Sequence, residues 1–459
     1  MILQILLLVG VSSALAIDIQ RIVFIVLSQE NNYHSKLAEN LRKDIISQSQ
    51  TLFGETPIVH LSHIDFTHFA TWTILPIIPD LSNLHKDNAS WIFFLQDYTK
   101  INLNTLLNIF ENHDPEEETW FGNALYDQES TIIHHFAFHE DPTFFRYPNL
   151  ASGFAISTPL LNRIAKHWEE NTIEVSNFSI DIAHELAMFI WNDGNGPMIK
   201  HESALCSKLQ PHCSTFPKPS HLCDTLVPLT SIYFAVKTYH KFHQDRVPVV
   251  KNTWGKHTPI ISFFSDKEDI FIPTINLGIP NTENGHCAKT LAIIRYVAER
   301  IEANRDIKWI VIADDDTIFG ISALQRTLSC YDPENKVALG ERYAYDIREP
   351  TGYDYITGGG GMVFSRPLLK DLAAVCRCPA SHSPDDMLLG ACAARVGVSV
   401  THVPGFHQAR PNDYAAGYLE THEAISFHKH WMIDPIKVYE KWFKENDEML
   451  DEKFVHNEL

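Results

Sequence analysis

Trp309 to Leu328 reads WIVIADDDTIFGISALQRTL. Trp309 to Ala313 has the length and the branched apolar content of a buried strand, Asp314-Asp315-Asp316 ends it in a polar turn, and a helical pattern follows. A strand that opens through a turn into a helix is the repeating unit of an open α/β sheet, and such sheets bind ligands beyond the C-terminal ends of their strands. Three adjacent carboxylates repel one another unless a cation offsets the charge. A hard divalent ion with oxygen ligands fits this position, where it would bridge the carboxylates to a diphosphate. Taken alone, a solvated acidic turn is an equal reading.

The chain downstream narrows the choice. Tyr355-Ile356-Thr357-Gly358-Gly359-Gly360-Gly361-Met362-Val363-Phe364-Ser365 sets four glycines before an apolar strand, where missing side chains permit unusual backbone angles and close approach. No Gly-Lys-Ser/Thr follows, so this is not a P-loop. Ser383-Pro384-Asp385-Asp386-Met387-Leu388-Leu389-Gly390 suits a helix start, and a carboxylate there is also a candidate general base. Pro404-Gly405-Phe406-His407-Gln408 offers a histidine to complete a metal site with Asp316; one of 25 histidines is, by itself, more simply structural.

The same order of features occurs earlier. WIFFLQDYTKINLNTLLNIF (91–110) parallels 309–328, Ser152 to Leu161 parallels Gly360 to Leu369, and Asp181 opens a helix as Asp385 does. This predicts two copies of one α/β domain. The first copy carries Gln96-Asp97-Tyr98 where the second carries three aspartates, so the first is expected to be degenerate.

With 459 residues, 45% hydrophobic and 11% aromatic, the chain can bury two or three cores and is not disordered. A net charge of −20 argues against general nucleic-acid binding. Met1 to Ala16 (MILQILLLVGVSSALA) reads as a cleavable leader ending in Ala-Leu-Ala; the alternative, a membrane anchor, needs a longer apolar run. Asn88-Ala89-Ser90 and Asn177-Phe178-Ser179 are glycosylation sequons. His456-Asn457-Glu458-Leu459 is similar to KDEL-type retrieval tails, with Asn-Glu as the middle pair. Eight cysteines, all after residue 200 and none as Cys-x-x-Cys, point to structural disulfides in an oxidising compartment. Cys206, Cys213 and Cys223 cluster near the junction, and Cys376 and Cys378 are too close to pair with each other.

Strand, DDD, GGGG-apolar, PDDxxLG and PxFH, in this order, resemble the fringe-type β-1,3-glycosyltransferases. Ala235 to Thr238, Phe242-His243, Arg246, Thr253-Trp254 and Phe263 to Asp266 resemble the family's opening strands, so the likeness spans about 230 to 440. Leu328 to Asp332, Leu339 to Tyr343, Phe406 to Pro411, Ile425 to Trp431, a companion domain and the KDEL-like tail are similar to the branch that adds glucose to O-linked fucose on thrombospondin type 1 repeats.

The resemblance implies two tandem GT-A-like domains, α/β and Rossmann-like with mixed sheets, the first degenerate and the second catalytic. The expected division is leader 1–16, degenerate domain 17–205, Cys/Pro-rich linker 206–230, catalytic domain 231–445 and tail 446–459. The implied activity is metal-dependent, inverting transfer of glucose from UDP-glucose to the fucose 3-hydroxyl. Alternatives are N-acetylglucosaminyl or galactosyl transfer, or a noncatalytic lectin-like folding sensor. Asp316 and His407 would ligate Mn²⁺. Asp314 and Asp315 would contact the nucleotide-sugar, Val236, Lys237 and Thr238 the uracil, and Arg246 the phosphates. Gly359, Gly360 and Gly361 would line the donor–acceptor cleft. Asp386 would be the base, with Asp385 as runner-up. Expected partners are the UDP-sugar, O-fucosylated thrombospondin-repeat proteins and the receptor for KDEL-like tails, in the endoplasmic reticulum lumen. Nucleic acid and a stable membrane anchor are not expected.

Overall fold

The structure, a computed structural model, describes residues 18–130, 133–219 and 222–457. The expected leader lies outside the described residues, as do the last two residues of the expected retrieval tail.

Two mixed sheets organise the chain. The first runs Ile58–Leu61, Ile22–Leu27, Trp91–Gln96, Phe154–Ser157, Trp120–Gly122 and Lys200–His201. The second runs Thr274–Asn276, Ile261–Ser265, Ile232–Lys237, Trp309–Asp314, Met362–Ser365, Ala338–Gly340 and Thr401–His402. Leaving aside the extra outer strand Thr274–Asn276, the two follow one topology. In each, two parallel pairs lead to two antiparallel pairs and a final parallel pair.

The apolar runs Ile22–Leu27 and Ile232–Lys237 are buried along their whole length because both faces of a sheet interior are covered. Successive side chains enter opposite cores: Ile232, Phe234 and Val236 pack on one side, Tyr233 and Ala235 on the other. The helix Cys287–Glu302 covers the second face with Arg366–Val375, and Ile321–Leu328 covers the first.

A small sheet joins the halves. Phe178–Ser179 adds antiparallel to Arg342–Tyr345, which pairs with Tyr353–Ile356. Asn88 and Asn177, the sequon asparagines, are exposed. The chain from 206 to 219 is packed rather than loose: Thr215–Pro217 pairs with Thr99–Ile101, and Cys206 bonds Cys213. Cys223–Cys330 ties the segment after it to the second half. Cys287–Cys378 and Cys376–Cys392 complete four disulfides, so the neighbouring cysteines 376 and 378 do take different partners. Among the described residues no helix is long and apolar enough to cross a membrane.

Candidate active site

The strand Trp309–Asp314 delivers the aspartate triplet to the C-terminal edge of the second sheet, beside the end of Ile232–Lys237; the register sets Lys237 opposite Asp314. Lys237 Nζ lies 3.0 Å from Asp314 Oδ1 and donates at 2.8 Å to Asp385 Oδ2. Thr238 Oγ1 donates to Asp315 at 2.6 Å. Arg246, stacked 3.9 Å over Phe242, reaches Asp315 at 3.0 Å and Asp316 at 2.8 Å. One buried lysine and one arginine thus face four carboxylates, and the surplus negative charge is what a divalent cation would offset.

The candidate ligand set is Asp314, Asp316 and His428, whose ligand atoms lie within 4.8 Å of one another. His428 Nε2 is 3.3 Å from Asp316 Oδ1, and its Nδ1 is fixed by the Gln408 carbonyl at 2.9 Å. A second-atom hydrogen bond of this kind orients a metal-binding imidazole. Two carboxylates and an imidazole suit a divalent first-row ion, so the donor chemistry fits Mn²⁺. Burial disfavours the charge on His428, but its bond to Asp316 outweighs this and raises its pKa; the Asp316 carboxyl, despite burial, is held well below its usual range by His428 and Arg246.

The histidine expected from the sequence is a different one. His407 is fully buried, with Nδ1 2.8 Å from the Ser426 carbonyl, Nε2 2.9 Å from His422 Nε2, and its ring stacked on Phe427 at 4.6 Å. Burial lowers its pKa to about 4, so it serves as a neutral packing group. Reasoning from the sequence passed over His428 because its position follows from long-range pairing. Ser426–His428 lies antiparallel to Thr317–Phe319, with Thr317 opposite His428, which carries the ring to the triplet. The only local signal was its place in the Ile425 to Trp431 resemblance.

Two further expectations change. Val236 is fully buried in the core, so its side chain does not face a ligand. Gly359, Gly360 and Gly361 are buried under protein rather than lining an open cleft. A Cβ on Gly359 would meet the His428 ring at 2.3 Å, one on Gly360 the His407 carbonyl carbon at 3.3 Å, and one on Gly361 Phe319 at 2.5 Å. The glycines therefore let the turn close over these side chains. Gly359→Ala is expected to push His428 aside and weaken metal-dependent nucleotide binding by about tenfold or more, measurable by titration calorimetry.

Asp385 and Asp386 open the helix Asp385–Arg395, and their environments differ. Burial would raise the Asp385 pKa, but Lys237 and a hydrogen bond from Thr290 hold it at about 2. Burial and the neighbouring Asp385 charge push Asp386 up to about 6. Asp386 is half-buried and packs beside Gly358. Asp315 is also raised, to about 6, mainly by burial. The site thus combines a cation-ligand set with a nearby carboxyl poised to exchange a proton near neutrality.

The corresponding strand end of the first sheet carries Gln96, Asp97 and Tyr98 in place of the three aspartates, and the candidate ligand group of that half is instead Asp127, His135 and His184. Asp97 is buried against His34 Nδ1 at 2.9 Å, and Tyr331 of the second half holds His34 Nε2 at 3.0 Å.

Comparison with known proteins follows this division. A family model described as Fringe-like matches residues 227–451, the half that carries the site. The chain is 46% identical over 435 residues to a β-1,3-glucosyltransferase of Mus musculus, covering 94% of this chain and 88% of that one. Identity to the β-1,3-glucosyltransferase of Homo sapiens is 46% over 442 residues, covering 96% and 88%. The β-1,3-N-acetylglucosaminyltransferase lunatic fringe of Homo sapiens is 28% identical over 232 residues, 45% of this chain and 60% of that one. The chain belongs to the fringe-like glycosyltransferases, and within them to the β-1,3-glucosyltransferases, with which it aligns over 94–96% of its length.

Proposed function

We propose that the chain transfers glucose from UDP-glucose, with inversion, to the 3-hydroxyl of O-linked fucose on thrombospondin type 1 repeats. The observation that carries the reading is the pairing of the Asp314–Asp316–His428 set with Asp386 at one edge of the second sheet, in a chain similar over its length to β-1,3-glucosyltransferases.

In the proposed reaction Asp386 accepts the proton of the acceptor hydroxyl as that oxygen attacks the anomeric carbon. The bond from that carbon to the UDP oxygen breaks on the opposite face. One in-line displacement turns an α-linked donor into a β-linked product, so no enzyme nucleophile is needed. Asp314, Asp316 and His428 would hold Mn²⁺, which supplies charge neutralisation for the departing diphosphate. Lys237 positions Asp314 and Asp385; Arg246 and Thr238 orient Asp315 and Asp316, with Arg246 near enough to the triplet to meet phosphate. Residues 231–445 form the catalytic domain in this proposal, and 17–205 a degenerate copy joined through 206–230.

Exposed sequons and four disulfides support residence in the secretory pathway. Retention in the endoplasmic reticulum through the His456 to Leu459 tail and its retrieval receptor completes the proposal.

Incubating the protein with Mn²⁺, an O-fucosylated repeat and a panel of UDP-sugars, and weighing the product, tests the reading. A hexose increment from UDP-glucose alone is expected; transfer from UDP-N-acetylglucosamine or UDP-galactose instead would overturn the donor assignment. Because Asp386 must be deprotonated to act, kcat is expected to rise with pH through about 6 and level off above it. A flat profile from pH 5 to 8 in the same assay, roughly the range on either side of that value, would count against the assignment.

A further inference from the structure

The first half holds a further set of metal-ligating side chains. Asp127, His135 and His184 bring one carboxylate oxygen and two imidazole nitrogens within 4.8 Å of one another. All three residues are buried. They come from separate elements. Asp127 follows the short strand Ala124–Leu125, His135 lies in the helical turn Ile133–Phe138, and His184 stands in the first turn of Ile182–Trp191. The set is therefore made by the fold and not by one acidic run. Another grouping, Cys206, His212 and Cys213, has its two sulfurs joined in a disulfide and offers no thiolate.

The surroundings supply what a metal-bound imidazole needs. His135 Nδ1 lies 2.5 Å from Asp127 Oδ2, and its Nε2 lies 3.1 Å from Asp181 Oδ2. A ligating imidazole characteristically gives its second nitrogen to a carboxylate, which fixes the ring and its tautomer. Asp127 is braced in the same way: Tyr147 donates its hydroxyl to Oδ1 at 2.6 Å, leaving Oδ2 on the His135 side. Asp181 is anchored through Oδ1, which accepts the Ala183 and His184 backbone N–H groups at 3.1 Å. Asp127 and Asp181 together carry two negative charges beside one imidazole. A proton on His135 offsets one of them, whereas a divalent cation offsets both.

Ligands of a tetrahedral ion, each about 2.1 Å from it, lie roughly 3.4 Å apart. To admit an ion, the Asp127–His135 pair must open by roughly 1 Å. The His184 ring, stacked on His135 at 3.8 Å between centroids, must tilt out of that stack. Two imidazoles and one carboxylate favour zinc-type ions over magnesium or calcium. The fourth position has an approach: His135 and Asp181 both line a cavity of about 130 Å³ between the halves, and the Asp181 side chain is 28% exposed. We propose that Asp127, His135 and His184 form a zinc-type divalent cation site in the first half, separate from the Asp314–Asp316–His428 set, with Asp181 as the outer partner of His135. Its ion pins the hairpin of Ala124–Leu125 and Tyr147–Pro148 to Ile182–Trp191. No cysteine precedes residue 200, so no disulfide can staple this part of the chain.

The test uses the full chain, stripped with a chelator and dialysed against micromolar Zn²⁺ or Co²⁺, with bound metal counted by mass spectrometry. The decisive sample carries His428→Ala, which cripples the other cation set. It is expected to hold about one Zn²⁺ per chain and to give the visible spectrum of four-coordinate cobalt. Adding His135→Ala is expected to lower Zn²⁺ affinity by about a hundredfold or more, and adding Asp181→Asn by about 10–100-fold. In the otherwise unaltered chain, His135→Ala should keep metal-dependent UDP affinity, which shows that the second half is folded and the two sites are independent. Asp127→Asn, which preserves the shape of the side chain, carries the same expectation and decides the matter where His135→Ala does not fold. A His428→Ala chain that binds neither Zn²⁺ nor Co²⁺ overturns the proposal. So does Zn²⁺ binding that His135→Ala and Asp127→Asn leave unchanged, since His135 would then be only an imidazolium held between two carboxylates.

Discussion

Asp386→Asn is expected to lower kcat by about 10²–10⁴-fold, the usual contribution of a positioned general base. Metal-dependent affinity for UDP should stay nearly unchanged, because Asp386 is not among the residues that hold the cation set. Asp385→Asn should behave differently. Asp385 anchors Lys237, which in turn neutralises Asp314, so its loss should weaken nucleotide binding as well as turnover. The contrast separates the two candidates: Asp385 has its carboxylate committed to Lys237 and Thr290, whereas burial leaves Asp386 ready to take a proton. Rapid-quench turnover and calorimetry on both variants read the difference. Near-normal turnover in Asp386→Asn would remove it from the mechanism.

The second large effect concerns the histidines. His428→Ala should reduce metal-dependent UDP affinity by about a hundredfold or more, since loss of an outer-shell partner alone costs 10–100-fold. His407→Ala should leave that affinity nearly intact and instead destabilise the fold by about 1–3 kcal/mol, because it opens a void against Phe427 and strands the Ser426 carbonyl. Calorimetry with Mn²⁺ and UDP, paired with urea unfolding, distinguishes them. The reverse pattern would restore His407 as the ligand.

The strand ending in Asp314-Asp315-Asp316 was legible because a short branched apolar run stopping at a polar turn marks a buried strand, and the glycine run and helix-start carboxylates downstream favoured a cation over a solvated turn. Lys237, Thr238 and Arg246 meet that triplet directly, Asp385 meets it through Lys237, and Asp386 follows Asp385 at the helix start. His428 and the packing of Val236 were not legible. The first depends on which distant strand lies beside Thr317, the second on which face of a fully apolar strand turns inward, and a continuous apolar run carries no alternation to reveal it. The glycine run was read as open space for a ligand; its actual neighbours, His428 and Phe319, arrive from elements remote in sequence.

Phe178–Ser179 completes the sheet whose far strand, Tyr353–Ile356, backs the Asp385–Arg395 helix closely enough that Gly390 has no room for a Cβ. A chain without the first half would leave Arg342–Tyr345 as a bare edge, inviting aggregation and loosening the support of the helix that carries Asp386. Retention of the first half thus has a mechanical reason of its own.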